Sequence, residues 1–240
     1  MDLLVTTDWL ASELGTDDLV MLDCSVFLVL SDNGFVSESG RANFEEHHIA
    51  GARFADLTGD LVDTDSPNGF AMPTPAAFGT AMERLGVSDA SRVVVYDADG
   101  SSMWAARVWF MLRWIGFDNA AILDGGLKAW QAEGRATESG PGQSAAMPAG
   151  SLSLTPRPGM DADKDEVMAM MADGGSCLID ALPPAIFRGE IKVYGDGGHI
   201  PGAINIPASG MVDSETGRFL PLEEIRPMFP DQPEARMVAY

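Results

Sequence analysis

The 240-residue sequence predicts an α/β protein made of two tandem domains, each a doubly wound parallel sheet. Three observations carry this. Short apolar, β-branched runs alternate with helix-length segments. The strand-like runs end in carboxylates, as buried parallel strands do where they emerge from the sheet. Three blocks of sequence also recur in one order along the chain.

The elements follow in order. Thr6-Thr7-Asp8-Trp9-Leu10 followed by Gly15 reads as a short helix with a threonine cap and a terminating glycine. Leu19–Asp23 is a buried strand. Thr74-Pro75 opens a helix with proline at its first position, and Gly86 closes it. Arg92–Asp97 is the strongest strand signal, with three consecutive valines. Ser101-Ser102 then cap a helix carrying Met103, Trp104, Val108, Trp109, Phe110, Leu112 and Trp114, apolar almost all round and therefore predicted to be buried. Ala121–Asp124 is a strand, and Leu127–Glu133 a helix ended by Gly134. From Gly134 to Gly159 the composition turns to Gly, Pro, Ser, Ala and Thr without hydrophobic period, the mark of a linker. Asp161–Ala172 is a helix with an acidic first turn, and Ser176–Asp180 a strand.

The repeat pairs Leu19–Asp23 with Ser176–Asp180, His48–Phe54 with His199–Asn205, and Arg92–Tyr96 with Arg236–Tyr240, at offsets of 157, 151 and 144 residues. This places a first domain at 1–134, a linker at 135–160 and a second domain at 161–240. In the first copy Tyr96 is followed by a loop, a helix, a strand and another helix. In the second copy Tyr240 is the last residue, so the second domain is expected to be incomplete and to stop at the carboxyl end of a central strand. Ligands of open α/β sheets bind just beyond such ends.

Composition narrows the function. A hydrophobic content of 46% with 21% charged residues is globular. A net charge of −21 and a pI near 4.2 repel phosphate backbones and anionic lipid heads, so no nucleic-acid or membrane-surface role is expected. The amino terminus has no secretory signal pattern, and the apolar run 103–116 is broken by Arg107 and Arg113. With two cysteines, too few for a disulfide framework, the expected setting is the cytoplasm.

The ordered blocks resemble the tandem-rhodanese sulfurtransferases, the thiosulfate and 3-mercaptopyruvate family. They are Phe44–Phe54, Asp63–Pro67, Met72–Pro75 with Phe78, Val93–Asp97, Ala105–Trp109, Leu123–Leu127 with Trp130, Phe187–Gly189 and Gly198–Pro207. The resemblance implies a silent first domain and a second domain whose cysteine, directly after the strand ending at Tyr240, carries sulfane sulfur as a persulfide. It passes that sulfur from a small anionic donor to a thiol or to cyanide. An electropositive loop of amides at a helix N-terminus suits such chemistry, lowering a thiol's pKa and cradling the anion. Residue 241 would be that cysteine, so the 240-residue chain alone is expected to be inactive. Asp97 is the inactive-repeat equivalent. Asp180 and Arg188 are the implied substrate-site residues, and no metal or organic cofactor is implied. One departure stands out: Leu182 and Ile186 are apolar where the family often has basic residues. They favour an alternative, a catalytically degenerate pair serving as a regulatory or partner-binding module. A related phosphatase would need a Cys-x5-Arg loop after Tyr240.

The remaining candidates have structural readings. Cys24 and Cys177 read as small buried thiols. His48 and His199 share one repeat position and are expected to bond backbone groups of the turn leading into the next strand. Asp97 is a loop hydrogen-bond acceptor, and Arg107 pairs with a carboxylate or carbonyl inside the first domain. The glycines of Leu123-Asp124-Gly125-Gly126 lack dinucleotide spacing, and no phosphate-binding P-loop pattern occurs.

Overall fold

The computed structural model describes residues 1–31, 34–143, 150–173, 176–192, 197–231 and 236–240. The chain forms two compact units. Unit 1 comprises Met1–Val29, Val36–Arg157 and Glu215–Arg218; unit 2 comprises Leu30–Phe35, Pro158–Ser214 and Phe219–Tyr240.

The elements up to residue 138 are, in chain order, β1 (Leu4–Val5), α1 (Thr7–Glu13), β2 (Leu19–Asp23), β3 (Val26–Ser31), β4 (Gly34–Ser39), α2 (Arg41–Glu46), β5 (His48–Ile49), β6 (Arg53–Phe54), α3 (Pro75–Arg84), β7 (Arg92–Tyr96), α4 (Met103–Trp114), β8 (Ala120–Leu123), α5 (Gly126–Ala132) and β9 (Thr137–Glu138). Five strands make the main sheet in the order β1-β8-β7-β2-β6, with every pair parallel. The three valines of β7 occupy its centre and are fully buried, because a strand covered on both faces tolerates only apolar side chains. Threonine caps start two of the helices: Thr6 Oγ1 accepts from the Trp9 amide at 3.1 Å, and Thr74 Oγ1 accepts from the Ala77 amide at 3.2 Å.

Helix α4 differs from its expectation. It buries Trp104, Ala105, Val108, Met111, Leu112 and Trp114, while Met103 is exposed and Trp109, Phe110 and Arg113 are half-buried. A helix lying on a sheet face buries one broad stripe, and the outer apolar groups are used at its rim. Trp109 donates its indole N–H to the Ala120 carbonyl, and the Arg113 guanidinium lies 5.1 Å from the Trp109 ring centroid. Arg107, half-buried, donates to the Phe70 carbonyl, a backbone partner as expected.

The stretch expected as a linker is held along unit 1 as far as Arg157. β9 pairs antiparallel with β5, and residues 144–149 lie outside the described residues. Beyond them, Gly150, Thr155 and Arg157 donate backbone bonds to the carbonyls of Glu83, Ile115 and Trp114, and Leu152 is buried. A segment without hydrophobic period still docks here through backbone groups at helix ends and through the carboxylates of Glu83, Asp89 and Asp118, which periodicity does not report.

Unit 2 contains α6 (Lys164–Asp173), β10 (Cys177–Asp180), α7 (Pro184–Phe187), β11 (Ile204–Asn205), α8 (Leu222–Ile225) and β12 (Met237–Ala239). A reciprocal capping box starts α6: Asp163 Oδ1 accepts from the Glu166 amide, and Glu166 Oε2 from the Asp163 amide. The three strands pair in parallel in the order β11-β10-β12, matching β6-β2-β7 of unit 1. The register matches too. Cys177↔Met237 and Leu178↔Val238 repeat Val20↔Val93 and Met21↔Val94, and Asp180↔Asn205 repeats Asp23↔Phe54. Among the described residues no helix is long and apolar enough to cross a membrane.

Phe44 is fully buried in the unit 1 core, stacked on His48 and tilted against Phe54. Phe44→Ala is expected to destabilise unit 1 by about 3–5 kcal/mol. Denaturant unfolding followed by tryptophan fluorescence measures this, since all five tryptophans lie in unit 1.

Candidate functional site

In each unit the carboxyl end of the sheet is organised by the same few residues. In unit 1, buried Asp23 ends β2. Its Oδ1 accepts from the Ser25 amide at 2.9 Å and from the Ser25 hydroxyl at 2.5 Å. The Cys24 amide donates to the Tyr96 carbonyl, and the Tyr96 hydroxyl accepts from the Ile49 amide at 3.3 Å. In unit 2, buried Asp180 ends β10, and its Oδ1 accepts from the Leu182 amide at 2.8 Å. The Ala181 amide donates to the Tyr240 carbonyl, and the Tyr240 hydroxyl accepts from the Ile200 amide at 2.8 Å. Asn205 adds a lock particular to unit 2, donating its side-chain amide to the carbonyls of Asp180 and Leu182.

The histidines act earlier in the chain than expected. His48 Nδ1 lies 2.7 Å from the Phe44 carbonyl and His199 Nδ1 lies 2.8 Å from the Phe187 carbonyl, with each ring stacked on that phenylalanine. Both imidazoles thus tie back to the preceding helical segment instead of the turn ahead. The separation in sequence is four residues in one unit and twelve in the other, which hides the correspondence from an ungapped comparison.

Beyond β7 the chain enters the loop 97–102. Asp97 is buried, and its Oδ1 accepts from the Ser102 amide at 3.2 Å. Ser102 sits at the cap position of α4 with φ 58°, and its own hydroxyl makes no cap bond. Of the two serines expected as the cap, Ser101 accepts from the Met103 amide at 3.4 Å, and Asp97 adds a carboxylate at the same helix end. Ser25 joins this loop to the neighbouring strand, its hydroxyl accepting from the Ala98 amide at 2.9 Å. Among the described residues Asp23 Oδ2, Asp97 Oδ2, Asp180 Oδ2 and Ser102 Oγ are buried without a hydrogen-bond partner. Burial, with help from nearby Asp99 and Asp23, pushes the Asp97 carboxyl up to about 7. Burial pushes Asp23 up to about 6 against the opposing Ser25 bonds. Cys24 is buried between these acids and its thiol is pushed up strongly, first by burial and then by their charge. Such a thiol is inert as a nucleophile.

On the unit 2 loop, Leu182 and Ile186 are half-buried. Arg188 is exposed, and its Nε and Nη2 donate to the Glu190 carboxylate at 2.6 and 2.9 Å. A cavity of about 860 Å³ opens at the other end of the unit 1 sheet, against Leu19–Met21 and Ser88, where none of these groups lie.

Residues 6–133 match the Rhodanese-like domain. Over 251 aligned residues the chain is 35% identical to the probable 3-mercaptopyruvate sulfurtransferase of Pseudomonas aeruginosa, covering 99% of this chain and 83% of that protein. The chain belongs to the tandem-rhodanese sulfurtransferase family. The thiosulfate sulfurtransferase of Gallus gallus is 35% identical over 79% of this chain and 64% of that protein. The crystal structure of SseA, the 3-mercaptopyruvate sulfotransferase of Escherichia coli, superposes with a TM-score of 0.84 at 27% identity, covering all of this chain and 88% of that one. The rhodanese fold accounts for the register-matched sheets of the two units.

The raised acids of the rhodanese unit 1 imply a definite pH response. A carboxyl whose folded pKa exceeds its unfolded value stabilises the fold fully below the unfolded value, near 4. That contribution is lost as pH rises through the folded values of about 6 and about 7. Unit 1 is expected to lose stability between pH 4 and 7, by up to about 1.4 kcal/mol per pH unit for each proton. Asp97→Asn should flatten this slope, as measured by tryptophan-monitored unfolding across that range; an unchanged slope would sink the assignment.

Proposed function

We propose that this protein is a sulfurtransferase moving sulfane sulfur from a small donor, of the thiosulfate or 3-mercaptopyruvate kind, to a thiol or cyanide acceptor. A persulfide forms on a cysteine that directly follows Tyr240 in the full protein. The observation that carries this is the matched register. The residue after Tyr240 takes the place of Asp97, which in unit 1 receives the backbone amides of Ser102 and Ala105 at the start of α4. A thiolate or persulfide in such a place meets the same two amides, which offset part of the cost of burying the charge, and an oxygen acid there cannot carry sulfur. Asp180 shapes the adjoining loop by holding the Leu182 amide, and Arg188 supplies that loop with a cation engaged by Glu190.

A second reading, a catalytically degenerate pair that binds a partner, draws on the apolar Leu182 and Ile186. One experiment separates the two. The full protein is incubated with millimolar thiosulfate or 3-mercaptopyruvate, its intact mass is recorded, and thiocyanate release to cyanide is followed. The added mass of one sulfur atom on the cysteine after Tyr240, with thiocyanate formed, is the expected result; neither appearing would leave the binding module. The 240-residue chain alone is expected to form no thiocyanate above background, since Cys24 and Cys177 are both buried. Cys24→Ser in the full protein should leave turnover unchanged, and its loss would overturn the placement of the nucleophile.

A further inference from the structure

Several arginines of unit 1 are neutralised at short range. Arg92 donates to Glu13 and Asp18 at 2.7 Å, Arg157 donates to Asp118 at 2.8 Å, and Arg135 bonds Asp8 and Glu133. Three others surround a cavity of about 350 Å³ and are engaged differently. The start of α2, the edge strand β6 and the end of α3 bring Arg41, Arg53 and Arg84 to its wall.

The Arg41 guanidinium lies 4.6 Å from the Phe54 ring centroid, and it makes no hydrogen bond or ion pair with another described residue. The cation–π contact places the side chain without occupying its N–H donors. Arg53 is buried and donates to the Leu85 carbonyl and, at 3.3 Å, to Gln143 Oε1. Bonds to neutral oxygens satisfy donors without cancelling charge. The guanidinium fits there because residue 86 is glycine, at φ 79°; a Cβ at that point would collide with Nη1. Arg84 is exposed and lies 3.8 Å from exposed Asp60, a pair that water screens. The other carboxylate on the wall, Asp56, turns its Oδ1 to the Thr58 amide and hydroxyl at 2.9 and 2.7 Å, and pairs with none of the three arginines.

A cation taken out of water costs free energy that an anion beside it returns. The guanidinium fork fits two oxygens on one atom, as in a carboxylate or a phosphate. Phe54 and Leu85 add apolar wall, and the volume lies at the small end of ligand cavities, enough for a short carbon body. The net charge of −21 repels large polyanions over long range, which leaves a small free anion as the fitting occupant. We propose that this cavity binds a small organic oxyanion, a carboxylate or phosphate ester of a few carbons, with Arg41 and Arg53 holding its charged head and Arg84 at the rim. The site lies wholly in unit 1 and does not depend on the sulfur chemistry above.

The test titrates the full protein by calorimetry with glycerol 3-phosphate, succinate, inorganic phosphate and uncharged glycerol, all at one ionic strength. Saturable binding of one glycerol 3-phosphate or succinate per chain is expected, with a Kd at or below about 1 mM. Inorganic phosphate should bind more weakly and glycerol not at all, and the ratio of the two organic anions tells a phosphate head from a carboxylate. Arg41→Gln should weaken binding by about tenfold or more, the loss of a hydrogen bond between charged groups. Arg84→Gln should weaken it less, and Arg53→Lys, which keeps the charge but loses the planar fork, should weaken it as well. Arg41 and Arg84 are exposed, so their variants keep the test decisive even if the Arg53 variant fails to fold. Arg188→Gln, on the unit 2 loop, should leave the affinity unchanged. No saturation by any anion up to about 10 mM would overturn the site. So would tighter binding of inorganic phosphate than of both organic anions, an affinity that survives Arg41→Gln, or one lost in Arg188→Gln.

Discussion

Both units depend on a buried aspartate at the carboxyl end of a central strand. At that point the chain leaves the ladder that satisfied its backbone groups and turns while still covered by protein, where an unpaired amide would cost about 1–3 kcal/mol. Asp23 and Asp180 meet this need by accepting the amide two residues ahead. A tyrosine on the neighbouring strand completes the corner: its carbonyl takes the next amide, and its hydroxyl takes the amide after the stacked histidine. Three separated segments are thereby tied to one spot by directional bonds, and the loop beyond the tyrosine inherits a fixed starting point.

What each unit does with that corner differs. Unit 1 fills the start of α4 with its own carboxylate and bridges it to the next strand through Ser25. The arrangement is closed and acidic, and burial keeps Asp97 and Asp23 inclined to hold their protons. Cys24 lies buried there, and first its burial and then the neighbouring carboxylates oppose its ionisation. Unit 2 replaces the bridging serine with Leu182 and adds Asn205 as a lock on the loop. The corner keeps its backbone bond while the hydroxyl of Ser25 gives way to the isobutyl group of Leu182.

Much of this was legible in the residues. Consecutive valines, strand-ending aspartates and the His-Ile-x-Gly-Ala blocks located the parallel strands and their repetition, because a buried strand restricts composition locally. The buried character of both cysteines followed from similar local reasoning, as did an acceptor inside the first domain for Arg107, which the structure resolves as the Phe70 carbonyl. The cap of α4 was legible only in part: Ser101 accepts from the Met103 amide, but Ser102 adopts φ 58° and Asp97, five residues before it, takes its amide. Cap preference describes an isolated helix end, whereas here a tight loop brings a buried acid to it. The phenylalanine partner of His199 was equally hidden, since an eight-residue difference in spacing separates it from the Phe44–His48 pattern.

By itself, then, the sequence determined the fold class, the tandem repeat and the family, since each is written in local composition and in the order of short blocks. Tertiary structure alone decided three further things: that the linker stretch binds along unit 1 as far as Arg157, that Asp97 takes the Ser102 amide at the start of α4, and that Ser25 bridges Asp23 to the Ala98 amide. The physical reason is common to all three. Each depends on backbone groups left over at the ends of strands and helices, and which distant residue satisfies such a group is settled only when the parallel register brings the two together.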